Sequence, residues 1–162
     1  MKRRVQFPLF SVVVLIWFLS LPVWAESTVY QYQVKQTFDS VYKALHTNLE
    51  KNKFYVIFEA KISNNLRRFE KDWGKDYNVN KLETIRSLLV CNIKYTNRVA
   101  NLDPTMLALC PLRIVLVEKK PNTRILFVKP SVIAAKSKAL PVIKEIESKI
   151  IATIESTFKS KK

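Results

Sequence analysis

Sulfur chemistry in this chain has to run through two residues, because Cys91 and Cys110 are its only cysteines. Three readings of the pair are open. In an oxidising compartment two thiols invite a disulfide, and closing a loop of about 20 residues stabilises a fold by roughly 3 kcal/mol in the chain-entropy picture. The two thiols can instead lie buried and inert. Or they can do redox or metal work. No C-x-x-C is present and His46 is the only histidine, so nitrogen ligands are scarce. Two thiolates with the thioether of Met106 would suit Cu(I), and no other cofactor is indicated. Asn92 follows Cys91 at the end of an apolar run, where an Asn side chain bonds nearby backbone as a turn or cap. It joins Cys91 and Cys110 as a candidate functional position.

The remaining chemistry is mostly excluded. Gly74 is the only glycine, which rules out glycine-rich phosphate loops and a G-x-S-x-G elbow. One histidine rules out an H-E-x-x-H zinc site. His46 lies one turn from Tyr42 beside an apolar stripe and reads as a boundary residue. No spacing singles out a pair of carboxylates, so a hydrolase built on Asp, Glu and Lys ranks last and no catalytic residue is assigned.

Charge carries the other signal. Lys and Arg number 28 against 13 Asp and Glu, a net +15. Such a field favours anionic partners: acidic lipid head groups, envelope polymers, nucleic acid or acidic proteins. Its bland counterpart is a lysine-solvated surface. Arg67, Arg68, Lys71 and Lys75, with Trp73 and Tyr77, form a basic-aromatic cluster able to grip an anionic polymer by charge and stacking. The competing reading is a solvated loop with one or two rings tucked into the core.

Lys2, Arg3 and Arg4 precede an apolar run from Leu9 to Leu21, then Pro22 and Val23-Trp24-Ala25. That order is a secretory signal peptide over residues 1–25, because the run falls short of the about 20 residues a spanning helix needs. An uncleaved N-terminal anchor is the alternative, and no cysteine near Ala25 offers a lipidation site. The expectation is a periplasmic or secreted protein whose residues 26–162 form a single domain, large enough to bury a core. Export counts against nucleic acid as partner.

The elements that must position these residues follow from periodicity. Thr28–Val34 alternates as a half-buried strand. Thr37 offers an N-cap for a helix through Phe38, Val41, Tyr42, Leu45 and Leu49, ending near Asn52. Phe54–Ile62 reads as a second strand, Ser63–Asn65 as a turn or cap, Leu66–Trp73 as a short helix and Gly74–Asn80 as a loop. Thr84–Cys91 reads as a strand, with a helix as its rival. Thr96–Leu102 reads as a short helix capped by Thr96 and stopped before Asp103-Pro104. Leu112–Glu118 and Thr123–Val128 make a hairpin. From Pro141, Ile143, Ile146, Ile150, Ile154 and Phe158 recur at helical spacing. The order β-α-β(n)-α predicts an α+β fold, an antiparallel sheet covered on one face by two main helices, with the isoleucine stripe as its main cover.

Phe54-Tyr55-Val56-Ile57-Phe58-Glu59, then Ile62-Ser63-Asn64-Asn65-Leu66, Leu88-Leu89-Val90-Cys91-Asn92, Asp103-Pro104, and Pro111 through Val117-Glu118 follow one another in order. Together they resemble the family called domain of unknown function 302. Two positions depart from its pattern: Ile93 replaces the proline of Cys-Asn-Pro, and Leu112 holds the position of the family's second cysteine, with Cys110 two residues earlier. The resemblance implies a two-layer α+β fold similar to the TATA-box-binding-protein-like arrangement, and no agreed activity. The leading expectation is an exported basic binding module for a ligand or envelope partner, held near Cys91-Asn92 or on the basic surface. The alternative is thiol redox or copper handling by Cys91 and Cys110.

Overall fold

The structure, a computed structural model, describes residues 27–159. The predicted signal segment, residues 1–25, lies outside the described residues. Five strands, β1 (Val29–Val34), β2 (Tyr55–Lys61), β3 (Thr84–Cys91), β4 (Leu112–Lys119) and β5 (Asn122–Val128), pair antiparallel in the order β1-β5-β4-β3-β2. Alternation puts Leu88 and Val90, Ile114 and Leu116, and Ile125 and Phe127 on one face, where all six are buried. Three helices cover that face: α1 (Phe38–Lys51), α4 (Ile93–Leu102) and α6 (Leu140–Phe158). Two short helices, α2 (Ile62–Arg67) and α3 (Glu70–Trp73), lie between β2 and β3, and α5 (Pro130–Ile133) precedes α6. None of the described helices is long and apolar enough to cross a membrane.

The core is the meeting of three stripes. Phe38, Val41, Leu45 and Leu49 of α1, Tyr95 and Val99 of α4, and Ile143, Ile146, Ile150 and Ile154 of α6 all pack into the cluster built on the sheet. Each such burial is worth roughly 1.5–3 kcal/mol relative to exposure. Phe158 at the end of the isoleucine stripe stays half-buried, stacked 6.0 Å from Tyr32.

The expected α+β order is present, with differences that have local causes. Thr37 precedes α1 with no side-chain cap bond. The buried carboxylate of Glu118 takes that place: its Oε1 accepts the Phe38 amide at 2.8 Å, and Oε2 accepts the Thr84 hydroxyl at 3.0 Å. A carboxylate at a helix N-terminus satisfies an orphan donor and complements the dipole. Ser63–Asn65 lies inside α2 rather than in a turn, and the expected Leu66–Trp73 helix is broken where Phe69 leaves helical backbone (φ −102°, ψ 8°). Gly74 then ends α3 at φ +49°, a conformation glycine adopts without strain. The α4 cap is Asn92 and not Thr96, because the Asn92 side chain accepts the Tyr95 amide at 3.2 Å and helical backbone begins at Ile93. Pro104–Leu109 forms a 3₁₀ turn that sequence spacing misses.

Candidate functional site

The fold brings Cys91, Asn92 and Cys110 together. Cys91 ends β3, Asn92 caps α4, and Cys110 leaves the 3₁₀ turn just before β4. Both cysteines are half-buried and unbonded, with their sulfurs 3.7 Å apart. A disulfide bond is about 2.05 Å long, so closure requires the sulfurs to approach by less than about 2 Å. Thr96 lies beside them, its Oγ1 3.5 Å from the Cys91 sulfur and 3.4 Å from that of Cys110, so the three atoms form a near-equilateral triangle. The same hydroxyl donates to the Asn92 carbonyl at 3.1 Å. Sequence reading made Thr96 a cap; its placement one turn inside α4, facing both sulfurs, follows from the true start of that helix.

The pair lines a cavity of about 40 Å³ with Asn92 and Thr96, and its other walls are mostly apolar, among them Phe54, Val99, Met106 and Ile146. That space admits an atom or a water molecule or two, not an organic ligand. Burial pushes the Cys110 thiol above its ordinary range. The adjacent Cys91 adds to the effect, and the Thr96 hydroxyl, able to turn its proton toward a thiolate, opposes it. A thiol pushed upward in this way is a weaker nucleophile near neutrality, and this applies to Cys110. Met106 lines the same cavity as both cysteines, and among the described residues no group of three His, Cys, Asp or Glu could hold a metal.

A carboxylate clamp fixes α4, and with it Asn92 and Thr96. Glu145 of α6 accepts the Tyr95 hydroxyl at 2.6 Å and the Arg98 guanidinium at 2.8 Å, with the Lys149 ammonium 3.5 Å away. The Tyr95 hydrogen bond first, then that of Arg98, holds the Glu145 carboxyl down at about 2. His46 sits at the core boundary, 3.9 Å from Glu50 and 4.0 Å from Glu59.

The basic-aromatic cluster lies elsewhere, on the insert between β2 and β3. Arg67, Arg68, Lys71, Trp73 and Lys75 are exposed, whereas Tyr77 is half-buried in a small pocket shared with Leu66, Leu82 and Ile85. Trp73, 44% exposed, stacks on Phe69, 46% exposed, with ring centroids 5.1 Å apart. Phe69 escaped the sequence reading because the stacking partner is set by one helical turn, visible only once α3 is placed. The acids Glu70, Asp72 and Asp76 interleave with the cations, so the insert's distinguishing feature is its water-facing rings rather than its charge.

No curated protein matches this chain. A crystal structure of an uncharacterized conserved protein DUF302 from Bacillus stearothermophilus is similar in fold, with a TM-score of 0.69 at 20% identity, covering 80% of this chain and 98% of that one. The family model described as domain of unknown function DUF302 matches residues 30–157, a span that takes in every strand but the first residue of β1, the thiol pair and the insert. The chain belongs to that family.

Proposed function

We propose that this protein is an exported, non-catalytic binding module that holds an anionic partner of the cell envelope, with the insert between β2 and β3 as part of its contact surface. The observation that carries the reading is the stacked Phe69–Trp73 pair, exposed to water among Arg67, Arg68, Lys71 and Lys75. Large rings held in solvent are an unmet contact, and the chain's net +15 sets the sign of what would meet it. The fold's resemblance to the TATA-box-binding-protein-like arrangement is part of the same reading, without a nucleic-acid role. The test is binding of the chain from Glu26 onward to soluble polyglutamate at about 0.15 M salt, where exposed charges more than roughly 8 Å apart are screened. Loss of binding in Trp73→Ala and in Arg67→Ala/Arg68→Ala, with little change in Lys43→Ala/Lys51→Ala on α1, supports the insert. Equal losses from both charge pairs reduce the interaction to unspecific attraction and sink the reading.

A second reading rests on the 3.7 Å approach of Cys91 and Cys110 beside Met106. It makes the pair a redox or Cu(I) site. Titration of the reduced protein with Cu(I) under a competing chelator should then give one equivalent bound, absent in Cys91→Ser. A variant that only loses stability leaves the pair structural.

A further inference from the structure

An antiparallel sheet with one covered face ordinarily turns polar residues outward on the other. Here the outward face carries a group of apolar residues, beside the polar Ser87 and the exposed Gln31 and Gln33 of the edge strand β1. Strand alternation and register place Phe58, Leu89, Val115, Leu126 and Val128 on it, opposite the six core residues of the helix-covered face. Phe58 is 59% exposed and Val128 48% exposed. The insert borders this face at one end, where Ile85 shares a pocket with Leu66 and Tyr77. The charges that point outward from the strands are Arg113, Lys119 and Arg124, all exposed. The two strand carboxylates, Glu59 and Glu118, are committed to the helix side, to Tyr42 and to the α1 N-terminus. One acid stands at the edge of this face: Glu83, just before β3, which is paired with Lys120 at 2.6 Å. The outward strand face keeps a cationic excess in Arg113, Lys119 and Arg124.

We infer that this face, with the Phe69–Trp73 platform at its edge, docks on an anionic lipid bilayer surface. The inference rests on the anionic-partner reading above and names the partner. Apolar residues interspersed with Arg and Lys, Arg113 lying in register between Leu89 and Val128, and flanked by Trp and Phe match the chemistry of a charged membrane interface. A second copy is a poor occupant: an isologous pairing of these faces would bring Arg113, Lys119 and Arg124 of both copies together, and the acid at the edge, Glu83, is already paired with Lys120.

The described core elements lie within residues 27–159, so the chain from Glu26 onward carries every described strand and helix. Its sedimentation with phosphatidylglycerol–phosphatidylcholine vesicles is compared with phosphatidylcholine vesicles and with soluble polyglutamate. The expected result is binding to the anionic vesicles, weakened about tenfold by Phe58→Ser/Val128→Ser with polyglutamate binding unchanged. Both substitutions are at exposed positions, and an unaltered melting curve checks the fold. Vesicle binding indifferent to that double variant overturns the inference, as does binding to polyglutamate but not to vesicles, which leaves the broader reading standing. A dimer abolished by the same substitutions assigns the face to a second copy and also overturns it. Binding to neither probe defeats both.

Discussion

Thr96 is the residue that contacts both cysteines. Its hydroxyl lies within 3.5 Å of both sulfurs while bonded to the Asn92 carbonyl. Thr96→Val keeps the shape and removes the one group that opposes the upward push on Cys110. Alkylation of the reduced protein near pH 8.5 should slow several-fold, and an unchanged rate would mean the hydroxyl does not reach the thiolate. Asn92→Ala removes the α4 cap and should cost about 1 kcal/mol in denaturant melts. Glu145 gives a pH dependence of fixed sign. Its folded pKa is lowered to about 2 from the ordinary carboxylate value of 4.5, so its contribution is complete above the unfolded value and is lost as pH falls from about 4.5 toward 2. Melting temperature should drop over that window in the wild type and drop less in Glu145→Gln; parallel curves would refute the clamp. The cysteines, Asn92 and the histidine's boundary role were legible from type and spacing. The sulfur contact was not, because the two cysteines lie on different elements and meet only when α4 and the 3₁₀ turn are folded.

At the scale of elements, the sequence was most legible where apolar period and burial coincide. The isoleucine stripe of α6 and the β4–β5 hairpin are where their spacing places them. Ile150, fully buried in that stripe, should cost about 2–5 kcal/mol when cut to Ala. Ends were less legible, since they are decided by long-range partners. Thr37 has the right chemistry for a cap, yet Glu118, distant in sequence, supplies the α1 bond. Glu118→Ala should therefore destabilise by about 2 kcal/mol, the scale of a charged hydrogen bond lost at a buried donor. Thr37→Ala should change little. The reverse ranking would contradict the assignment of that helix end. Spacing predicts a helix and then a loop for the insert; the structure has two short helices that part at Phe69 and a 3₁₀ turn over Gly74–Asp76.

At the scale of the molecule, composition set the sign of the field, and the fold decides where that field meets apolar surface. The helix layer carries lysines over a filled core, whereas the opposite sheet face leaves Phe58 and Val128 in water between outward arginines. Alternation within single strands did not reveal this face, since β3 and β4 read as nearly continuous apolar runs; register was needed to separate the two sides. The measurement that tests this account most directly is amide hydrogen exchange of the chain from Glu26 onward, free and bound to soluble polyglutamate. The account predicts slowed exchange over residues 62–77. Protection confined to α1 and α6, or spread evenly over the lysine-bearing surface, would contradict it.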